Sequence, residues 1–265
     1  MHAQPTVEQV TALPAGRRRS IRYEVLLVFS LSLGAAGIRA VLQLIASLTA
    51  PKPLSGQVTV LNGSQAQQPW LDLALQLTSL ATSIAPVFLV AYFLSTGGGS
   101  LRSIGLDTTR WRADLFRGAV LAAVVGGTGL ALYVGAHAAG ANVIVVPESL
   151  PSVWWRIPVL VLSAAQNALL EEVLVAGYLL HELRRLGWSD NRALAVSAVL
   201  RGSYHLYQGF GGFLGNCVMG LLFGRIYQRT GRTGPLVIAH TLIDSVAFIG
   251  YIALAGHVSW LPVPG

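Results

Sequence analysis

The 265-residue chain is 53% hydrophobic and only 11% charged, less than half of the ~25% charged content usual in a soluble domain. A water-soluble fold of this size cannot hide so much apolar surface, which excludes a soluble enzyme and a disordered or fibrous chain and leaves an integral membrane protein. The single cysteine, Cys217, excludes an internal disulfide and a Cys-based zinc site. The formal charge of +7 is carried by basic residues that are not interleaved with aromatics, so no nucleic-acid partner is expected.

A bilayer-spanning helix needs ~20 mostly apolar residues. Seven segments qualify in chain order: Tyr23–Leu48, Trp70–Leu94, Leu115–Ala139, Trp154–Leu180, Ala193–Leu206, Phe210–Tyr227 and Leu236–Ala255. The expected fold is therefore an all-α, polytopic helical bundle of about seven transmembrane helices. The first segment follows Arg17–Arg19 but is too long for the ~7–15-residue core of a signal peptide, so it reads as a retained helix. Asn142–Val153, with Pro147 and Pro151, reads as a loop or surface segment. Gly209, Gly211 and Gly212 mark the turn between the two short spans, the fifth and sixth. The expected organisation is a tail over 1–22, transmembrane helices over 23–153, a helical core over 154–256 and a short tail over 257–265.

The 18 Lys and Arg residues orient this bundle. Arg17, Arg18, Arg19, Arg22, Arg102, Arg110, Arg112, Arg117, Arg184, Arg185, Arg192, Arg225, Arg229 and Arg232 all fall on one side if the spans alternate. Lys52 and Arg156 fall on the other. The positive-inside bias then predicts a cytoplasmic N-terminus and an external C-terminus, in a membrane of the bacterial plasma-membrane type.

Arg39 and Arg201 lie inside spans, together with Glu171, Glu172, His205, His240 and Asp244. An ionisable group at the centre of a span costs at least ~2.5–3.5 kcal/mol and usually faces a polar interior. Arg39 is accounted for by pairing or by snorkelling. At ~1.5 Å per helical residue, the two Glu, the two His and Asp244 share a depth of roughly 12–20 Å above the cytoplasmic boundary. His240 and Asp244 are spaced i, i+4 on one face, as are Asn167 and Glu171. Glu171 and Glu172 are adjacent, so in an α-helix they point ~100° apart and only one faces squarely into a shared cavity.

Residue types and spacing leave three chemistries open. A carboxylate and an imidazole can activate water for hydrolysis, with further groups stabilising an oxyanion. The same groups can hold a divalent metal that activates water. They can also relay protons or bind a cation in a transporter.

The run Glu171-Glu172-Val-Leu-Val-Ala176-Gly177-Tyr178, then Tyr204-His205, then His240-Thr-Leu-Ile-Asp244 resembles the CPBP family, which contains the type II CAAX prenyl endopeptidases and the Abi-type intramembrane proteases. The family pattern is Glu-Glu-x-x-x-Arg, Phe-x-x-x-His and His-x-x-x-Asn/Asp on successive membrane helices, matched here over about Trp154–Ile252. Two positions depart from it: Ala176 stands where the pattern has Arg, and Arg201 where it has Phe. One helix loses an arginine and the next gains one, so Arg201 is expected to neutralise Glu172.

The resemblance implies an intramembrane endopeptidase acting on a peptide or a membrane-tethered, CAAX-type protein segment reached from the cytoplasmic side. It implies Glu171 as the water-activating carboxylate with His205 as partner, His240 and Asp244 at the oxyanion or a metal, and Glu172 in support. Asn216 and Asn167 are candidate supporting residues. Family members have been described both as metalloproteases and as metal-free glutamate proteases. A divalent metal such as zinc on Glu171, His205 and His240 therefore stands beside a metal-free mechanism. The competing readings are an inactive membrane scaffold or immunity protein on the same fold, and a cation- or proton-coupled transporter, which would be expected to show an internal repeat.

Overall fold

The computed structural model describes residues 13–264. Ten α-helices and two short strands are ordered as α1 (Ala15–Ser30), α2 (Leu33–Thr49), β1 (Val58–Gly63), α3 (Pro69–Ser83), α4 (Ala85–Thr96), α5 (Trp111–Ala138), β2 (Ile144–Ser149), α6 (Arg156–Glu171), α7 (Leu180–Arg185), α8 (Asp190–Ser203), α9 (Phe210–Thr230) and α10 (Gly234–Leu254). A π-helical segment, Glu172–Leu179, joins α6 to α7 without a break.

Among the described residues, five helical stretches are long and apolar enough to cross a membrane: Pro69–Thr96, Trp111–Ala138, Arg156–Arg185, Phe210–Thr230 and Gly234–Leu254. The bent pair α1–α2 adds a sixth when the two helices are taken as one span. The chain is thus an all-α, polytopic helical bundle, but two expected spans take a different form. The first is bent by 46° between Ser30 and Leu33. There Ser32 donates its hydroxyl back to the Val28 carbonyl at 2.6 Å, a local bond that competes with the helical ladder. It also starts at Ala15, inside the stretch expected as a tail.

The expected fifth span, Ala193–Leu206, is the 14-residue α8 followed by a turn at Leu206–Gln208. Its length of ~21 Å falls short of the ~30 Å hydrocarbon core, and Arg192, Ser197, Arg201 and Ser203 make it too polar for the class. It nevertheless runs from Asn191, which meets Arg225, to the turn whose Gly209 bridges Asn142.

The stretch expected as a loop, Asn142–Val153, contains β2, which pairs in parallel with β1 in the register Val58↔Ile144 to Gly63↔Ser149. The β-branched run Val143-Ile144-Val145-Val146 favours that extended form. Asn142, 2% exposed, bridges to Gly209. Its Oδ1 accepts from the Gly211 and Gly212 amides at 2.9 and 3.2 Å, capping α9. Gly209 turns the chain at φ +103°, a conformation that favours glycine. Cap and bridge together pin the segment that carries His205.

At the arginine-rich end, Arg18 donates to the Leu186 carbonyl at 2.7 Å and Arg225 to Asn191 at 2.7 Å. Arg232 clamps Asp114 (Nε–Oδ1 3.0 Å) and Asp107 (Nη1–Oδ2 3.2 Å). The N-terminus of α1, the α7–α8 turn and the α9–α10 turn thus gather the basic residues together. The main apolar core runs through α1, α4, the π segment and α10, with Val90, Val173, Leu174, Tyr178, Phe223 and Leu236 in its interior. Arg39 is exposed on α2 and has no ion-pair partner among the described residues.

Candidate active site

Glu171 is the last residue of α6 and Glu172 the first of the π segment. A π turn bonds i to i+5 and so holds more residues per turn than an α turn, which brings successive side chains closer than 100°. The two long side chains reach a common partner. Glu172 Oε1 lies 2.6 Å from Arg201 Nη2, and Glu171 Oε2 lies 3.3 Å from the same nitrogen. Both acids meet one guanidinium, delivered from the last turn of α8.

The pair Arg201–Glu172 is fully enclosed, with the two side chains 1% and 0% exposed. His240 of α10 closes the group: its Nδ1 is 2.8 Å from Glu172 Oε1 and 3.2 Å from Arg201 Nη2. An N–H on Nδ1 donates to Glu172, so the histidine and the arginine are two donors converging on one carboxylate oxygen. That tautomer is assigned from the bonding pattern. His240 Nε2 lies 3.5 Å from Asp244 Oδ2 one turn along the same helix.

Glu171 is differently placed. It accepts from the Tyr204 hydroxyl at 2.9 Å, and its Oε2 lies 3.8 Å from His205 Nε2. His205 Nε2 is buried and has no hydrogen-bond partner among the described residues. His205 itself sits in the turn after α8 rather than within a membrane helix. Glu171 and His205 side chains keep 12% and 16% exposure, so they form the accessible edge of a cluster whose other edge is sealed.

Glu171, Glu172, Arg201, His205, His240 and Asp244 therefore converge. The two asparagines do not join them. Asn216 donates to the Gly212 carbonyl of its own helix at 3.0 Å, and Asn167 is half-buried with no side-chain hydrogen bond among the described residues.

The sequence assigned no role to three contributors. Tyr204 directly bonds Glu171, and its position three residues after Arg201 was the available signal. Gly220 and Phe223 of α9 shape the arginine's slot. A Cβ at Gly220 would stand 3.2 Å from Arg201 Cδ and 2.9 Å from Ala198 Cα, so a larger residue would press on the arginine stem. Phe223 presents its ring 5.4 Å from the Arg201 guanidinium carbon. Residue spacing carries no sign of either.

The donors that could hold a metal are Glu171, Glu172 and His240, whose ligand atoms lie within 4.8 Å of one another. Glu172 takes the place expected for His205. Arg201 Nη2, however, already lies 2.6–3.3 Å from an atom of each of the three. A divalent ion with ~2.0–2.2 Å ligand bonds would have to share that point with a guanidinium. As arranged, these residues do not fit a metal.

An all-α bundle with apolar crossing helices and a charge-dense, largely buried cluster defines an integral membrane protein with a buried polar site. The model of the Rce1-like family, type II CAAX prenyl endopeptidases, matches residues 153–246, and over that segment it supports the resemblance to the CPBP family. All six converging residues fall within the matched segment. No curated protein and no solved structure matches the chain.

Proposed function

We propose that the protein is an intramembrane endopeptidase that hydrolyses a peptide bond in a membrane-associated substrate of CAAX type, with water activated by Glu171. The carrying observation is the division of labour between adjacent carboxylates. Glu172 is sealed and bonded to Arg201 and His240, while Glu171 keeps an accessible edge beside the unpartnered Nε2 of His205.

In this reading Glu171 Oε2 takes a proton from a water held between it and His205 Nε2, and the resulting hydroxide attacks the scissile carbonyl carbon. Tyr204 fixes the Glu171 carboxylate in position. The tetrahedral oxyanion is met by the positive side of the cluster, where Arg201 and His240 concentrate donors. His240 Nε2, oriented by Asp244, is the ring nitrogen left free of Glu172. Collapse of the intermediate breaks the C–N bond, and the proton held on Glu171 passes by way of His205 Nε2, 3.8 Å away, to the leaving amine, which restores both groups. No metal takes part in these steps.

The arginine-rich end faces the cytoplasm in this reading, and the substrate reaches the site from that side. The membrane is of the bacterial plasma-membrane type. The test is cleavage of a fluorogenic, lipid-anchored CAAX peptide in proteoliposomes. Wild type should turn it over and Glu171→Gln should not. Equal turnover by both would remove Glu171 from the mechanism. No turnover by wild type on prenylated or unprenylated peptides would favour a scaffold.

A further inference from the structure

We propose that Arg201 is the built-in cation of this site: its Nη2 takes the point among Glu171, Glu172 and His240 that a divalent metal would otherwise hold, and it keeps metal out. Three contacts meet at one nitrogen. Nη2 stands 2.6 Å from Glu172 Oε1, 3.3 Å from Glu171 Oε2 and 3.2 Å from His240 Nδ1. These are the three residues whose ligand atoms cluster closely enough to chelate an ion. The cluster is thus a ligand set by geometry and an ion pair by occupancy.

The guanidinium has little room to leave. Its side chain is 1% exposed. Its Cδ passes through space that a side chain at position 220 would crowd, beside the Ala198 backbone. Phe223, itself 0% exposed, lies against its carbon. A long cation laid through a slot kept open by a glycine and faced by an aromatic ring is held in one place.

Charge points the same way. Two buried carboxylates need positive charge nearby, and here a fixed guanidinium and an imidazole lie beside them. A divalent ion added to these would stand beside a like charge inside a medium that screens poorly. Position 176, four residues after Glu172 on the π segment, is Ala, so it offers no second arginine. The inference gives the proposed hydrolase a metal-independent site, and rests on that reading for this consequence alone.

The experiment is a Co²⁺ titration of purified, chelator-washed protein in detergent. It is read by the visible absorption of histidine-bound cobalt and by metal content after desalting. Wild type should hold no cobalt that is lost on His240→Ala, and Arg201→Lys, which keeps a cation in the slot, should behave the same way. Arg201→Met should take up one equivalent, and Arg201→Met/His240→Ala should lose it again. Folding of each variant is verified by a cooperative thermal transition.

Cobalt bound by wild type and released by His240→Ala or Glu172→Gln would overturn the proposal. So would a folded Arg201→Met chain that binds none. If Arg201→Met does not fold, the wild-type titration against His240→Ala decides alone. The titration does not depend on turnover. An inactive chain that excludes cobalt leaves the cation assignment standing and removes the hydrolase reading, and an active chain that binds cobalt through Glu172 and His240 does the reverse.

Discussion

Glu172→Gln should damage the fold more than Glu171→Gln, by an amount the structure lets one estimate. Glu172 is 0% exposed and its Oε1 receives donors from Arg201 at 2.6 Å and His240 at 2.8 Å. Glutamine keeps the shape but removes the charge, so a guanidinium that is 1% exposed loses its nearest counter-ion and keeps only Glu171 at 3.3 Å. Breaking a buried pair from one side costs about 3–5 kcal/mol, because the remaining charge stays desolvated. Residual pairing with Glu171 places the expected loss near the lower end, ~3 kcal/mol.

On the scale of soluble domains of 150–250 residues, where 1 kcal/mol moves the midpoint by 2–4 °C, this lowers Tm by roughly 6–12 °C. Arg201→Met should lose a similar amount. The double variant Glu172→Gln/Arg201→Met should recover part of it, leaving a coupling of about 1–3 kcal/mol in the cycle. The assay is thermal unfolding in one detergent at one pH for all four proteins. Additive single losses, or a Glu172→Gln chain within ~0.5 kcal/mol of wild type, would show that the buried pair does not hold the helices as described.

Glu171→Gln should reduce turnover by on the order of 10²–10⁴-fold, the usual worth of a positioned base, while Tm stays close to wild type because the Tyr204 hydroxyl still finds an amide oxygen. Proteoliposome kinetics beside thermal unfolding measure the two effects separately. Asn142→Ala removes the cap on α9 and should cost about 1 kcal/mol. It should also lower turnover by loosening the His205 turn, and a fully active variant would disconnect that turn from catalysis. Reporter fusions after Ser189 and after Gly63 should read cytoplasmic and external respectively; the reverse at both sites would sink the orientation drawn from the arginines. Replacing Arg201 by Phe and Ala176 by Arg together should recover at least half of the stability lost by Arg201→Phe alone. No recovery in the unfolding transition would mean that an arginine at 176 does not reach Glu172.

The amino-acid sequence by itself determined the solvent this protein lives in, because an apolar excess and a scarcity of charge admit no other. It also determined which ionisable residues are worth attention, since each charge inside a span carries a cost that the sequence alone displays. The one-sided distribution of arginines is likewise a property of chain order. Tertiary structure decided where side chains point and which distant residues meet. Glu171 and Glu172 share one guanidinium because α8 brings Arg201 within reach of both, a contact that periodicity along one helix cannot show. Glu172 meets residues 29 and 68 positions away. The β1–β2 pairing and the Asn142 cap likewise join segments that no local pattern relates. The slot that Gly220 and Phe223 make for Arg201 exists only where α8 and α9 pack, because close approach between two helices belongs to the pair and to neither sequence alone.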